Sequence, residues 1–392
     1  MLKLKHLLHP LGTAGAVKAL LASHWNVRRC ASRGARRFRN DPRYNLQSVT
    51  DGFASRPAAA GDDTPLLRRI CQAYIAAAEL DSFSRHEYNA TGWWQNVRRS
   101  SLTPVRRALA TCDTGALGAM YRDFFRDPCS AGLIGLPLAK VYFGGAIQDV
   151  YRHSFLSDAL HRIDYWKGQT GNRFELRELA GPGIGNPFGA VIEGTLVCKG
   201  AEYQHYCAQR IRELASAPGA SIVEIGGGYG GMAYYLLRGN PQCTYIDFDV
   251  PESLALTSYY LLKSFPNLKF LLYGEEDLTR EAIARSNVIL MPPFELSKVP
   301  ANSVDLTFSS HTMSDLSRSA QIVYLNEIER MTRQSFLNIS EGEGSAALDE
   351  LIGAESPSLK LAEKRDLEWN SHKILHAREL ECHYRIASKE QP

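Results

Sequence analysis

The chain contains no C-x-x-C pair, and its eight cysteines fall at irregular intervals. That spacing excludes a zinc ribbon and a disulfide framework, so reduced thiols in a cytoplasmic setting are the expectation. No apolar run reaches the roughly 18–20 residues that cross a bilayer, and no transmembrane segment is expected. No internal repeat is visible. Acidic residues are missing from positions 1–40, which hold nine Lys/Arg and no Asp/Glu, while the rest of the chain carries 36 basic against 42 acidic residues. The overall charge of +3 therefore hides a mildly acidic body. Few aromatics interleave with the basic residues, and no RNA-binding motif stands out in the body, which argues against nucleic acid as a partner.

The basic start has an apolar side. Leu2, Leu4, Leu7, Leu8 and Leu11, then Val17, Leu20 and Leu21, line one helix face, followed by Arg28, Arg29, Arg33, Arg36, Arg37 and Arg39. Such a segment suits peripheral attachment to an anionic membrane surface, though a packed or disordered terminus is the stronger expectation. Lys18 interrupts the apolar part and the arginines follow it, which disfavours a secretory signal; an organellar transit peptide stays open.

At 392 residues, 44% hydrophobic and 22% charged, the chain is long enough for a large core and more than one domain. The pattern divides it into a basic segment and linker (1–63), a mainly helical accessory region (64–200) and an α/β domain (201–392). Residues 45–63 read as linker or loop. Leu66, Leu67, Ile70, Tyr74, Ile75 and Ala78 make one helical stripe, and Val105, Leu109, Leu117, Met120, Tyr121 and Phe124 indicate further helices. Gly132, Gly135, Pro137, Gly144 and Gly145 break the region that follows.

The strongest local signal lies in the last region. Ser221 to Ile225 is a short β-branched run, followed by five glycines among six residues (226–231) and then by Met232, Ala233, Leu236 and Leu237 at helical spacing. Strand, glycine turn and helix N-terminus in that order aim backbone N–H groups at a ligand and let it approach without a Cβ in the way. Gly226, Gly228 and Gly231 fit the dinucleotide pattern G-x-G-x-x-G, so NAD is one candidate. Glu224 with Gly226, Gly228 and Gly230 fits E-x-G-x-G-x-G, in which a carboxylate stands where a pyrophosphate would be repelled. The next strand, Cys243 to Val250, ends in Asp247 and Asp249, placed for ribose hydroxyls. Of two runs that suit a third strand, Leu268–Tyr273 and Val288–Met291, the second is preferred, with adenine contacts near Phe294 and Glu295. A strand over Val304–Ser309, a fifth over Arg333–Ile339 and a terminal pair over His372–Ala387 complete a doubly wound, mostly parallel sheet.

The form Glu224-x-Gly226-x-Gly228-x-Gly230 resembles class I S-adenosylmethionine-dependent methyltransferases. More narrowly, Glu-Ile-Gly-Gly-Gly-Tyr-Gly-Gly (224–231) and Asp-Val-Pro-Glu (249–252) with Tyr259-Tyr260-Leu261 are similar to a family of sugar O-methyltransferases associated with bacterial surface polysaccharides. Phe124 to Pro128, Gly132-Leu133, Gly185-Asn186-Pro187 and Tyr203/His205/Tyr206 upstream, and Val304 to Leu306, Met313 to Leu316 and Tyr324-Leu325 downstream, extend the resemblance over roughly residues 65–340. The family often carries Ser-Met-x-Glu-Met where this chain has Thr312-Met313-Ser314-Asp315-Leu316, and its usual continuation is absent after Asn338.

The resemblance implies a Rossmann-like fold, S-adenosylmethionine as cofactor and a sugar or glycan acceptor. Glu224, Gly226, Gly227, Gly228, Tyr229, Gly230, Asp247, Asp249, Phe294 and Glu295 would serve the cofactor, and Asn186, Tyr203, His205 and Tyr206 the acceptor. A sugar hydroxyl needs a base, and His311 and Asp315 stand after the fourth strand with i, i+4 spacing on one face of a helix starting near Thr312. Glu341 and Glu343 read as a solvated loop rather than metal ligands, so metal-independent chemistry is expected. An NAD-linked oxidoreductase and a non-catalytic scaffold of a glycan-assembly complex are the competing readings.

Overall fold

A computed structural model describes residues 13–57, 61–81, 84–89, 92–134, 148–373 and 378–387. Leu2 to Leu11, the side chains of Val17, Leu20 and Leu21, and Gly135, Pro137, Gly144 and Gly145 lie outside what is described. The first half is helical: α1 (Thr13–Arg37), α2 (Gln47–Phe53), α3 (Thr64–Asp81), α4 (Gly92–Arg99), α5 (Thr103–Ala110), α6 (Thr114–Arg122) and α7 (Asp149–Gln169). A hairpin of β1 (Gly189–Ile192) and β2 (Thr195–Cys198) leads into α8 (Ala201–Leu214).

Strands and helices then alternate through β3 (Ser221–Ile225), α9 (Gly231–Gly239), β4 (Thr244–Phe248), α10 (Pro251–Ser264), β5 (Phe270–Leu272), α11 (Arg280–Arg285) and β6 (Val288–Met291). The chain continues through β7 (Val304–Ser310), α12 (Thr312–Asp315), α13 (Arg318–Met331), β8 (Thr332–Glu341), α14 (Gly342–Glu355), β9 (Leu359–Leu367) and β10 (Glu379–Ile386).

The main sheet has the order β5-β6-β4-β3-β7-β8-β10-β9. The strands from β5 to β8 pair in parallel, and β10 runs antiparallel to both of its neighbours. This is a doubly wound, mostly parallel sheet. Period-two alternation sends Ile222, Tyr245 and Leu290 into a core shared with α8, α9 and α10, while Val223, Ile225, Ile246 and Phe248 meet α13 and α14 on the other face. The chain moves outward from β3 through β4, then returns to β7 on the other side. The crevice between β3 and β7 is thus the switch point at which such sheets bind ligands.

Three expectations need correction. Residues 47–53 of the expected linker form α2, because Val49 is buried and Gly52 lies so close to β1 that a Cβ there would come within 2.1 Å of the Gly189 carbonyl. The terminal strand pair starts at Leu359 rather than His372, since β10 hydrogen-bonds β9 on one edge and β8 on the other. Ile75, read as part of the buried stripe of α3, is exposed, while Cys71 and Ala77 take core positions. Val288–Met291 is the strand beside β4, and Phe270–Leu272 adds a strand outside it.

The basic helix α1 is folded onto α7. Gly34 allows the contact: a Cβ there would stand 1.6 Å from Ser157 Oγ. Arg29 and Arg33 donate to backbone carbonyls of Lys373, Ser371 and His372, and Arg37 reaches His161 Nδ1 and the Asp164 carboxylate. One row of the basic face is therefore consumed internally, whereas Arg28, Arg36 and Arg39 stay exposed.

Candidate active site

The loop after β3 is shaped by backbone conformation. Gly226, Gly228 and Gly230 have φ of +81°, +66° and +85°, a region that L side chains avoid. Their surroundings differ. A Cβ on Gly226 would strike Thr312 Oγ1 at 1.9 Å, and one on Gly230 would meet Thr257 and Leu261, but Gly228 opens onto space with Leu133 as its nearest neighbour at 3.9 Å. Thr257 fixes the loop by donating to the Gly228 carbonyl at 2.7 Å.

Three carboxylates converge beneath it. Glu224 and Asp247 are register partners on adjacent parallel strands, so their side chains leave the same face side by side. Tyr245 donates its hydroxyl to Glu224 at 2.5 Å. Asp247 accepts from the Gly227 N–H at 3.0 Å through one oxygen, and its other oxygen, Oδ2, is buried without a hydrogen-bond partner. Asp249, just past the end of β4, accepts from the Gly228 N–H at 2.9 Å and from the Val250 N–H at 2.7 Å.

Burial pushes the Glu224 carboxyl up to about 7, with the nearby Asp249 charge adding to the effect and the Tyr245 hydrogen bond opposing it. Burial likewise raises Asp249 to about 7 against its two backbone hydrogen bonds. Asp247 is held well above the usual carboxylate range by burial and by both neighbours. Like charges on paired strands destabilise a sheet unless a ligand supplies donors or positive charge. The orphaned Asp247 oxygen, the open Gly228 and this acid cluster fit a hydroxyl-rich, cationic ligand. They do not fit a pyrophosphate.

Phe294 and Glu295 lie in a 3-10 turn (Pro293–Lys298) directly after β6, beside β4. Phe294 packs edge-on against Tyr273, with ring centroids 5.5 Å apart, and the buried Glu295 pairs with Lys298 at 2.8 Å. Tyr229 packs its ring in a cluster with Phe124, Phe125 and Tyr260, and its hydroxyl bonds Gln204.

The switch-point crevice is walled on its other side by the end of β7. His311 follows β7 with φ +64°, a left-handed conformation rare for a residue with a side chain, and its N–H donates to the Ile339 carbonyl at 2.7 Å. Its Nε2 stands 3.6 Å from Glu379 Oε1. Tyr203 lies beside it, with ring centroids 6.2 Å apart, and shares a 2.7 Å hydrogen bond with Ser310 Oγ. Burial keeps the Tyr203 phenol well above its ordinary range and so neutral. Asp315 ends the one-turn helix α12 on the exposed side.

The other expected acceptor residues are committed elsewhere. Asn186 is buried at φ +54°, donates to Ser55 Oγ and Asp123 Oδ1, and accepts from the Arg56 N–H, so its amide ties the α2 region to the end of α6 and has no free donor. His205 accepts from the Trp166 indole at 3.1 Å, and burial together with Arg238 and Arg212 pushes it down to about 4. Tyr206 donates to Glu381 at 2.6 Å inside a buried network with Arg210. All three are structural in this arrangement. Glu341 and Glu343 are exposed, and among the described residues no group of three His, Cys, Asp or Glu is placed to hold a metal ion.

No family model and no curated protein matches the chain. Among solved structures, the chain is similar to a SAM-dependent methyltransferase from Aquifex aeolicus, with 13% identity over 46% of this chain and 88% of that one and a TM-score of 0.33. It is also similar to the N-methyltransferase NodS from Bradyrhizobium japonicum in complex with S-adenosyl-L-homocysteine, with 12% identity over 47% and 87% of the two chains and a TM-score of 0.34. A third is the [4+2]-cyclase SpnF, at 12% identity over 49% and 82% and a TM-score of 0.34.

Sequence reading missed Glu379, Tyr245, Thr312 and Thr257. Tyr245 had a local signal, since it precedes Asp247 by two residues on one strand face, and so did Thr312, which directly follows His311. Glu379 had none, because its place beside His311 depends on the pairing of β10 with β8.

Proposed function

We propose that the chain is an S-adenosylmethionine-dependent O-methyltransferase whose acceptor is a sugar hydroxyl of a surface polysaccharide or glycoconjugate. The observation that carries the cofactor class is the trio Glu224, Asp247 and Asp249 around an open glycine loop, with one buried carboxylate oxygen left without a partner. Glu224 would serve the cationic amino-acid end, Asp249 and Asp247 the ribose hydroxyls, and Gly228 the close backbone approach. Phe294 stands after β6, where it would face adenine. When bound, that cofactor supplies an electrophilic methyl group for in-line displacement.

His311 would take the acceptor proton as the new bond forms, a contribution of roughly 10²–10⁴-fold. Tyr203 and Ser310, joined by their hydrogen bond, would orient the acceptor hydroxyl beside it. The sugar acceptor rests on the family resemblance together with this polar wall.

A loose membrane contact belongs to the same proposal. Trp25 is 61% exposed on α1, with the Arg29 guanidinium 5.0 Å from its ring centre, Arg28 and Arg36 exposed on the same helix and Arg39 exposed in the turn just after it. An exposed aromatic beside cations suits an anionic lipid surface near lipid-linked glycans.

Calorimetric titration with S-adenosylhomocysteine, with NAD as the competing class, tests the cofactor. Binding in the micromolar range, weakened at least tenfold (about 1.4 kcal/mol) in Asp249→Ala, is the expected result. Binding of NAD alone, or of neither ligand, removes the proposal.

A further inference from the structure

His311 has a buried carboxylate partner that no local pattern in the sequence announces. We propose that Glu379 is the positioning residue of His311, a reading that rests on His311 acting as the proton acceptor proposed above. Glu379 opens β10, where it pairs in register with Glu341 of β8 and Leu367 of β9, and it is 6% exposed. Its Oε1 lies 3.6 Å from His311 Nε2 and accepts a 3.0 Å hydrogen bond from Asn370 Nδ2. Its second oxygen, Oε2, is buried and unpartnered. A buried carboxylate needs donors for its oxygens, and the His311 imidazole, 3.6 Å from Oε1, is a neighbouring side chain able to turn an N–H toward that carboxylate.

The arrangement extends behind Glu379. Arg162 donates to the Asn370 side-chain oxygen at 3.4 Å and pairs with Glu202 at 3.5 Å, which turns the Asn370 amide so that its N–H₂ faces Glu379. The chain His311–Glu379–Asn370–Arg162 thus joins the end of β7 to α7. An imidazole that gives its Nε2–H to a carboxylate keeps its Nδ1 lone pair for the substrate proton, and the negative charge favours the imidazolium formed when that proton arrives. The step would balance as a displacement: the acceptor oxygen would gain the methyl as the cofactor's methyl–sulfur bond breaks, and the proton lost from that oxygen would pass to His311 Nδ1. The left-handed backbone at His311 and its N–H bond to Ile339 fix the ring's point of departure, while Glu379 fixes its rotation.

The test is the NMR titration of the His311 ring in the full chain, with the signal assigned by its loss in His311→Gln. Glu379→Gln, which removes the charge and keeps the shape, is expected to lower the proton affinity of the ring about tenfold, while Asp315→Asn leaves the midpoint in place. If Glu379→Gln does not fold, Glu379→Asp, with its carboxylate withdrawn by one methylene, is compared instead and gives a smaller shift of the same sign. An unchanged midpoint, or a shift seen only with Asp315→Asn, overturns the assignment. In methyl-transfer assays the same variant is expected to lower kcat with KM nearly kept, and to move the acid limb of the pH profile to lower pH. A shifted ring titration in a protein that methylates no sugar would leave the His–Glu pair standing and remove the O-methyltransferase reading.

Discussion

At the scale of single residues, the acids under the glycine loop set a pH dependence with a definite sign. Glu224 and Asp249 are both raised to about 7, so the folded chain holds their protons more tightly than the unfolded chain, where such groups titrate near 4. Their contribution to stability is complete below about pH 4 and is lost as the pH rises through 7. A ligand that offers ribose hydroxyls and an ammonium prefers the ionised forms. We therefore expect the affinity for S-adenosylhomocysteine to rise between pH 6 and 8, with protons released on binding. Calorimetry at pH 6, 7 and 8 in buffers of different ionisation enthalpy measures both, and a flat affinity without proton release would sink the idea.

Gly228 and Gly226 separate two effects that a glycine loop usually confounds. Gly228→Ala places a methyl in open space at the cost of a left-handed residue, roughly 1–2 kcal/mol, so the protein is expected to fold and bind S-adenosylhomocysteine poorly. Gly226→Ala adds a collision with Thr312 and is expected to lower the unfolding temperature further. Thermal melts beside titrations distinguish the two, and equal melts for both variants would contradict the geometry.

At the scale of elements, what could be read in the sequence tracks how local the cause is. β3, the glycine turn and α9 are specified within twenty residues by a β-branched run, left-handed glycines and helical spacing, and each lies where the pattern puts it. The convergence of Glu224, Asp247 and Asp249 was legible because each lies near the end of a strand next to that turn. The acceptor side was not. Asn186, His205 and Tyr206 have the composition of a polar site, but their partners Asp123, Trp166 and Glu381 come from distant segments that turn them into packing groups. Glu379 reverses the case: a charged residue opening a late strand, given a role only by sheet order. α2 was lost for a similar reason, since its seven residues are too few to be stable alone and are held by the close contact of Gly52 with β1.

The α1–α7 crossing gives an element-scale prediction. Gly34→Leu cannot be housed against Ser157, so α1 should lift from α7 and its Arg-rich length become open to trypsin. Mass spectrometry of a brief digest reads this directly, and a cleavage pattern like that of the unsubstituted protein would show that the contact is dispensable.

At the scale of the whole molecule, the basic start divides between an inward and an outward row. Arg29, Arg33 and Arg37 grip the 371–373 turn and α7, whereas Trp25, Arg28, Arg36 and Arg39 face outward. Charge reversal of Arg28, Arg36 and Arg39 to Glu should abolish co-flotation with vesicles containing anionic lipid and leave the melting temperature within a degree or two. The 371–373 turn that α1 grips directly follows Trp369 and Asn370, the latter bonded to Glu379, so the helical half braces the residues behind His311.

The placement of β10 between β8 and β9 bears on how the protein is made. A ribosome delivers β9 before β10, so β9 emerges with no strand beside it and must wait for its neighbour. Until residues 379–386 follow, one edge of β8 stays bare and His311 has no carboxylate beside it. The glycine loop and its three acids are therefore all in place while the proposed His311–Glu379 pair is still incomplete, so on that proposal ligand binding would precede catalytic competence during synthesis.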